Sequence, residues 1–223
     1  MAFSHTLLKD EALSSAPPYN WSGLYAGINL ASVKNIMNMT DVEATSFFST
    51  IEQASRPQLS GGFQVGARHQ LDSSPISGVY GLEFSANFAN ATSKNTYGSS
   101  FANYQLNSEN RLNGLYLLEF IAGIAADKTF LFLAAGCSWT DLSGIVVDLN
   151  GLPFFHSFSL SNTSVGTVLG GGIEYAINER VSLRFKADVS SSNTYNTYSD
   201  TRDLYQVSNR TIQGAIGVNY RFG

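Results

Sequence analysis

Charge is what this 223-residue chain has least of. Lys and Arg number 13, Asp and Glu 17, together 13% of the residues, about half the roughly 25% of soluble domains. So few ions leave a water-facing surface of this size poorly covered. The net charge of −4 and the lack of a basic stripe argue against nucleic acid as a partner. A single cysteine, Cys137, excludes an intramolecular disulfide and a thiolate zinc site. Within its apolar run it reads as a small buried or lipid-facing hydrophobe. The three histidines, His5, His69 and His156, share no metal-ligand spacing, and nothing in the chain calls for a cofactor.

Long apolar runs are missing too. The longest, 115–126, carries Glu119 and falls short of the ~20 residues of a membrane helix. Asp127-Lys128 ends it before a second short run, 129–137, so the two read as a hairpin. The first residues hold Lys9, Asp10 and Glu11 and lack the basic start and unbroken apolar stretch of a secretion signal.

What is abundant is alternation with period two, the mark of strands that show one face to each of two environments. In 181–190, Val181, Leu183, Phe185, Ala187 and Val189 alternate with Ser182, Arg184, Lys186, Asp188 and Ser190. The last stretch repeats the rule: Ile212, Gly214, Ile216, Val218, Tyr220 and Phe222 alternate with Thr211, Gln213, Ala215, Gly217, Asn219 and Arg221. Eight such strands are predicted, at about 22–32, 59–70, 78–88, 112–125, 129–141, 163–176, 180–190 and 210–222. Each is near the ~9–11 residues with which a tilted strand crosses a bilayer. Short connections (71–77, 126–128, 177–179) alternate with long ones of roughly 19–26 residues, rich in Ser, Asn, Thr and Tyr. Short periplasmic turns and long outer loops are the pattern of outer-membrane barrels.

Parity alone also fits a soluble barrel with its apolar face inward. Charge decides the facing. Arg68, Glu83, Glu119, Glu174, Arg184, Lys186, Asp188 and Arg221 all fall on the polar parity, four of each sign, as in a neutral internal network. Gly, Ser, Asn and Gln fill the rest of that face, where a soluble exterior would carry many Lys and Glu. The apolar rows hold almost no ions, as they must against hydrocarbon, where a mid-depth Lys or Arg costs about 2–4 kcal/mol. The expectation is an all-β fold, an eight-stranded antiparallel transmembrane up-and-down β-barrel with short periplasmic turns and four long extracellular loops. A periplasmic extension at 1–20 precedes a barrel domain at 21–223. The runs 112–125 and 129–141 are apolar on both parities, so their facing stays open, with Glu119 placed inside.

Three stretches carry a resemblance. Tyr19-Asn20-Trp21-Ser22-Gly23-Leu24-Tyr25-Ala26-Gly27 resembles the opening strand of small Gram-negative outer-membrane proteins. Gly170 to Ala176 with Arg180 to Arg184 resembles their sixth and seventh strands, and Gly217 to Phe222 their last. The chain resembles, over 19–222, the opacity-like or Omp25/Omp31-like small outer-membrane β-barrel family. That resemblance implies residence in the bacterial outer membrane and makes Tyr220 and Phe222 a C-terminal signal read by the barrel-insertion machinery.

Catalytic groupings are weak. His156 stands beside Ser157 and Ser159 with Asp148 upstream, but adjacent residues on an extended loop point apart, and nothing holds such a triad. A patch in the third loop, Leu152, Phe154, Phe155, His156 and Phe158, gathers exposed apolar residues of the kind that mark contacts. The expected function is non-enzymatic: envelope integrity, adhesion or partner docking through the outer loops. A small-solute channel and, less favoured, a lipid-modifying enzyme are the alternatives. Expected partners are outer-membrane lipid and lipopolysaccharide, the insertion machinery, and a protein or host surface at the loops.

Overall fold

The computed structural model describes residues 19–41, 50–72, 76–99, 104–148, 157–192, 195–198 and 204–222. Its strands are β1 (Gly23–Asp41), β2 (Thr50–Ala54), β3 (Gln58–Gln70), β4 (Ile76–Ser99), β5 (Tyr104–Ala126), β6 (Thr129–Asp148), β7 (Ser157–Ala176), β8 (Val181–Ser192), β9 (Tyr195–Tyr198) and β10 (Leu204–Phe222). Neighbours pair antiparallel throughout, and β10 returns to β1 from Leu24↔Phe222 to Asp41↔Tyr205, which closes the sheet. The ten strands make eight staves. β2 prolongs β3 along β1, and β9 prolongs β8 along β10. The break between β2 and β3 contains Pro57, which has no amide to give a ladder. Ser55 bridges the gap instead: its amide donates to the Asn35 carbonyl at 2.7 Å, and its hydroxyl accepts from the Asn35 amide at 2.8 Å.

The barrel is taller than its alternating stretches suggest. β5 runs 23 residues and β4 24, about twice what the bilayer requires. The outer ends expected near 32, 88, 141 and 190 are therefore not ends. Above the membrane both faces of a hairpin meet water, so apolar alternation fades while the backbone ladder continues. The long connections shrink accordingly, and their tips lie outside the described residues. At the other rim the turns are tight. Asp127 takes a left-handed φ of 48° between β5 and β6, a conformation that Asp tolerates better than most residues.

Register fixes the tilt. Across the sheet, Leu24 pairs with Ala67, then Leu82, Phe120, Ala135, Leu169, Val189 and Ile212, and the circuit returns to β1 at Lys34. A stagger of ten residues over eight staves corresponds to a strand tilt of about 40°. An eight-stave lumen is just wide enough for side chains to fill it.

Apolar side chains form the outer band: Leu24, Ile28, Leu30, Leu82, Leu133, Ile173, Phe185, Ile216 and Val218 all stand exposed. The lumen is not uniformly polar, however. β5 and β6 turn Glu119 inward as expected, but Leu115, Leu117, Ile121, Phe130 and Phe132 share that inward face and are buried. Trp21 and Tyr25, near the periplasmic end of β1, are also inside the barrel.

Candidate functional site

The lumen is built in three layers. The lowest belongs to the Trp-Ser-Gly stretch. Gly23 enters β1 with φ 131°, which a side chain would resist. The Ser22 hydroxyl accepts from the Gln70 amide at 2.9 Å, and the Trp21 amide donates to Gln70 Oε1 at 2.7 Å. So held, the Trp21 indole turns into the barrel, donates to the Asp127 carbonyl at 3.2 Å and packs with Val79, Ile121, Phe130 and Phe132. Tyr19 stacks edge-on against it, with ring centroids 4.7 Å apart.

Above this plug lies a layer of buried ions. Arg68 pairs with Glu174 at 2.7 Å, and its guanidinium lies 4.0 Å from the Tyr25 ring centroid. Glu174 also accepts from Ser182 and from Asn219 at 3.0 Å. Arg184 pairs with Glu83 and lies 4.5 Å over the Phe132 ring. The Tyr25 hydroxyl donates to the same Glu83 oxygen at 2.5 Å. Lys186 meets three carboxylates: Glu119, Asp188 at 3.2 Å and Glu83 at 3.7 Å. Charges this deeply desolvated persist only when paired and hydrogen-bonded, and ring faces add attraction for the guanidinium groups. Above the ions an apolar cluster of Ala31, Val33, Ala89, Leu112 and Leu142 shares the lumen with buried polar side chains, among them Asn87, Thr140, Thr211 and Gln213.

The eight ions that parity assigned to the interior thus separate. Seven form the layer; Arg221 sits at the periplasmic rim. There it donates to the Glu179 carbonyl at 2.6 Å and lies 4.8 Å from the Tyr19 ring centroid. Tyr220 and Phe222 face outward with ring centroids 5.2 Å apart, and Arg180 donates to the Tyr220 hydroxyl at 3.2 Å. Of the third-loop patch, Leu152, Phe154, Phe155 and His156 lie outside the described residues. Phe158 falls in β7, paired with Val146. The apolar layers were missed by sequence reasoning because β5 and β6 are apolar on both parities. Trp21 was legible as part of a motif but not as a plug.

A closed antiparallel barrel with a lipid-facing apolar wall and buried ions finds its counterpart in sequence: residues 12–222 match the outer membrane protein beta-barrel domain. The chain belongs to that family. It is a protein of the bacterial outer membrane. Among solved structures, this outer-membrane barrel is similar to Neisserial surface protein A, with 17% identity over 90% of this chain and 98% of that one and a TM-score of 0.39. It is similar to outer membrane protein OprG from Pseudomonas aeruginosa, at 12% identity, 92% and 98% coverage and a TM-score of 0.48. A third likeness is to the outer membrane protease OmpT from Escherichia coli, at 9% identity, 93% and 99% coverage and a TM-score of 0.49. A search of the curated proteins found no match.

Proposed function

We propose that this barrel is a non-conducting anchor: it stiffens the outer membrane and holds a tall extracellular β-wall for contact with other surfaces. The filled lumen carries the reading. Two spaces among the buried ions measure about 20 Å³, beside Glu83, Arg184 and Lys186, and about 10 Å³, beside Arg68 and Glu174, room for roughly one water each. Above them Val33, Leu112 and Leu142 are at most 2% exposed, and Asn87, Thr140 and Thr211 are buried as well, so side chains fill the lumen at that level too. A channel would need both the ion layer and the packed side chains above it to part.

The outer wall supports the contact role. β4 and β5 stay paired up to Ser99↔Tyr104, well beyond the span of the bilayer, and their upper halves are rich in Ser, Asn, Thr and Tyr. Residues of this kind give adaptable hydrogen-bonding surface. The decisive experiment is purified protein in a planar bilayer. Baseline current with no steady conductance is expected; steady unitary steps, abolished by heating the protein to unfold it, overturn the reading.

A further inference from the structure

Large apolar side chains stand in rows around the outer wall, and one row breaks the pattern. Gly171 pairs with Ala187, Ala187 with Gly214 and Gly214 with Ser32, and all four lie on the lipid-facing parity. Two residues toward the periplasm, the parallel row is Ile173, Phe185, Ile216 and Leu30; two residues the other way, it is Leu169, Val189, Ile212 and Lys34. The flanking rows are about 13 Å apart, and the small residues cross three strand spacings, about 14 Å. Over the small residues and the row of Ile173, Phe185, Ile216 and Leu30 runs an apolar groove that extends toward β5 and β6, of about 1270 Å³ in all. It climbs outward from β7 to β1, following the rise of the register.

Gly214 shows that packing within the barrel does not require the groove. A Cβ there would meet nothing within 4 Å, whereas glycine inside a strand weakens it and often marks the close approach of something else. The upper end of the groove is cationic. Lys34 follows Ser32 by two residues on the same face, and Arg210 stands diagonal to it across the β1–β10 pair. Exposed Arg56 follows Ser55, which is bonded to Asn35. Glu52, the register partner of Asn38, is a carboxylate on that outer face, beyond Lys34.

The geometry points to a site for an anionic glycolipid of the outer leaflet, lipopolysaccharide. One acyl chain lies along Gly171, Ala187, Gly214 and Ser32, and the phosphates meet Lys34, Arg56 and Arg210. A flexible polymethylene chain fits a trough one residue row wide that runs across the strands and obliquely to the barrel axis, while the convex wall of a second barrel does not reach its floor. A lipid of the inner leaflet would carry its headgroup at the wrong end. The site does not depend on whether the lumen conducts.

The test is native mass spectrometry of the full-length barrel in mild detergent, with lipopolysaccharide or phosphatidylglycerol added. One retained lipopolysaccharide per barrel is expected, not displaced by phosphatidylglycerol. Gly214→Leu fills the trough from a position where a Cβ meets no neighbour within 4 Å. It should keep the heat-modifiable migration of a folded barrel and lower retention about tenfold, the equivalent of two buried methylenes. Lys34→Ala with Arg210→Ala should lower it comparably with the trough intact. Should Gly214→Leu fail to fold, Ala187→Val serves in its place. Unchanged retention in the filled variants, or equal retention of phosphatidylglycerol, overturns the assignment. So does a dimer that Ala187→Cys cross-links copy to copy.

Discussion

Lys186 is the most widely shared ion of the lumen, set among Glu83, Glu119 and Asp188. Replacing it with Met leaves Glu119 and Asp188 without their cation in a water-poor interior, while Glu83 keeps Arg184. Losing one partner of a buried ion pair typically costs about 3–5 kcal/mol, so Lys186→Met should lower the urea midpoint of reversible barrel unfolding by a corresponding amount. Lys94 and Glu109 make the opposite case. Their contact is 3.0 Å, but the side chains are 73% and 49% exposed, and pairs in water contribute about 1 kcal/mol or less. Lys94→Ala should leave the midpoint nearly in place. Equal effects of the two substitutions would mean that water reaches Lys186. At this scale the sequence was informative wherever parity was clean: Arg68, Glu83, Glu174 and Arg184 could be placed inside from their neighbours alone. Arg221 shares their parity but not their depth, because it is the last inward residue of its strand and reaches only the rim.

At the scale of the strand, length and facing followed different rules. β3, β8 and the lower half of β10 alternate cleanly because one face meets hydrocarbon and the other a polar lumen. β5 and β6 do not, because the inward face there is apolar as well, with Ile121, Phe130 and Phe132 packed around Trp21. Their facing is settled by register: Glu119 pairs with Glu83 on β4 and Gly136 on β6, and the alternation of the neighbours passes across. Register shifts between Phe88 and Ala91 in the β4–β5 pair and between Leu112 and Gly114 in the β5–β6 pair. Such bulges bend a strand and often mark a change in its surroundings. Above them the hairpin continues in water. Deleting 94–109 and closing the hairpin with a short turn should leave an inserted, heat-modifiable barrel whose unfolding midpoint is close to that of the full protein. Loss of heat-modifiable migration would show that the upper hairpin belongs to the folding unit.

For the molecule as a whole, closure decides most of the physics. A closed sheet has no edge, so every backbone group in the hydrocarbon finds its partner. A stagger of ten also sets the width that the lumen side chains must fill. Polarised infrared spectra of oriented membranes should give a strand tilt of about 40°. A tilt far below that would mean a smaller stagger, a narrower lumen and a different pairing of β10 with β1. The same tilt carries the Gly171 to Ser32 groove obliquely up the wall, so that its cationic end opens toward the outside.

The alternation of Val181 to Ser190 and of Thr211 to Phe222, the shortage of charge and the rhythm of short and long connections determined by themselves that this chain is a barrel in a membrane. They are local signals, and each reports what the two faces of a single strand meet. Which apolar face of β5 and β6 looks inward, how Trp21 closes the lower lumen, and where four small residues line up across four strands were decided only by the tertiary structure. Those features depend on register between strands distant in sequence, and register is a property of pairs.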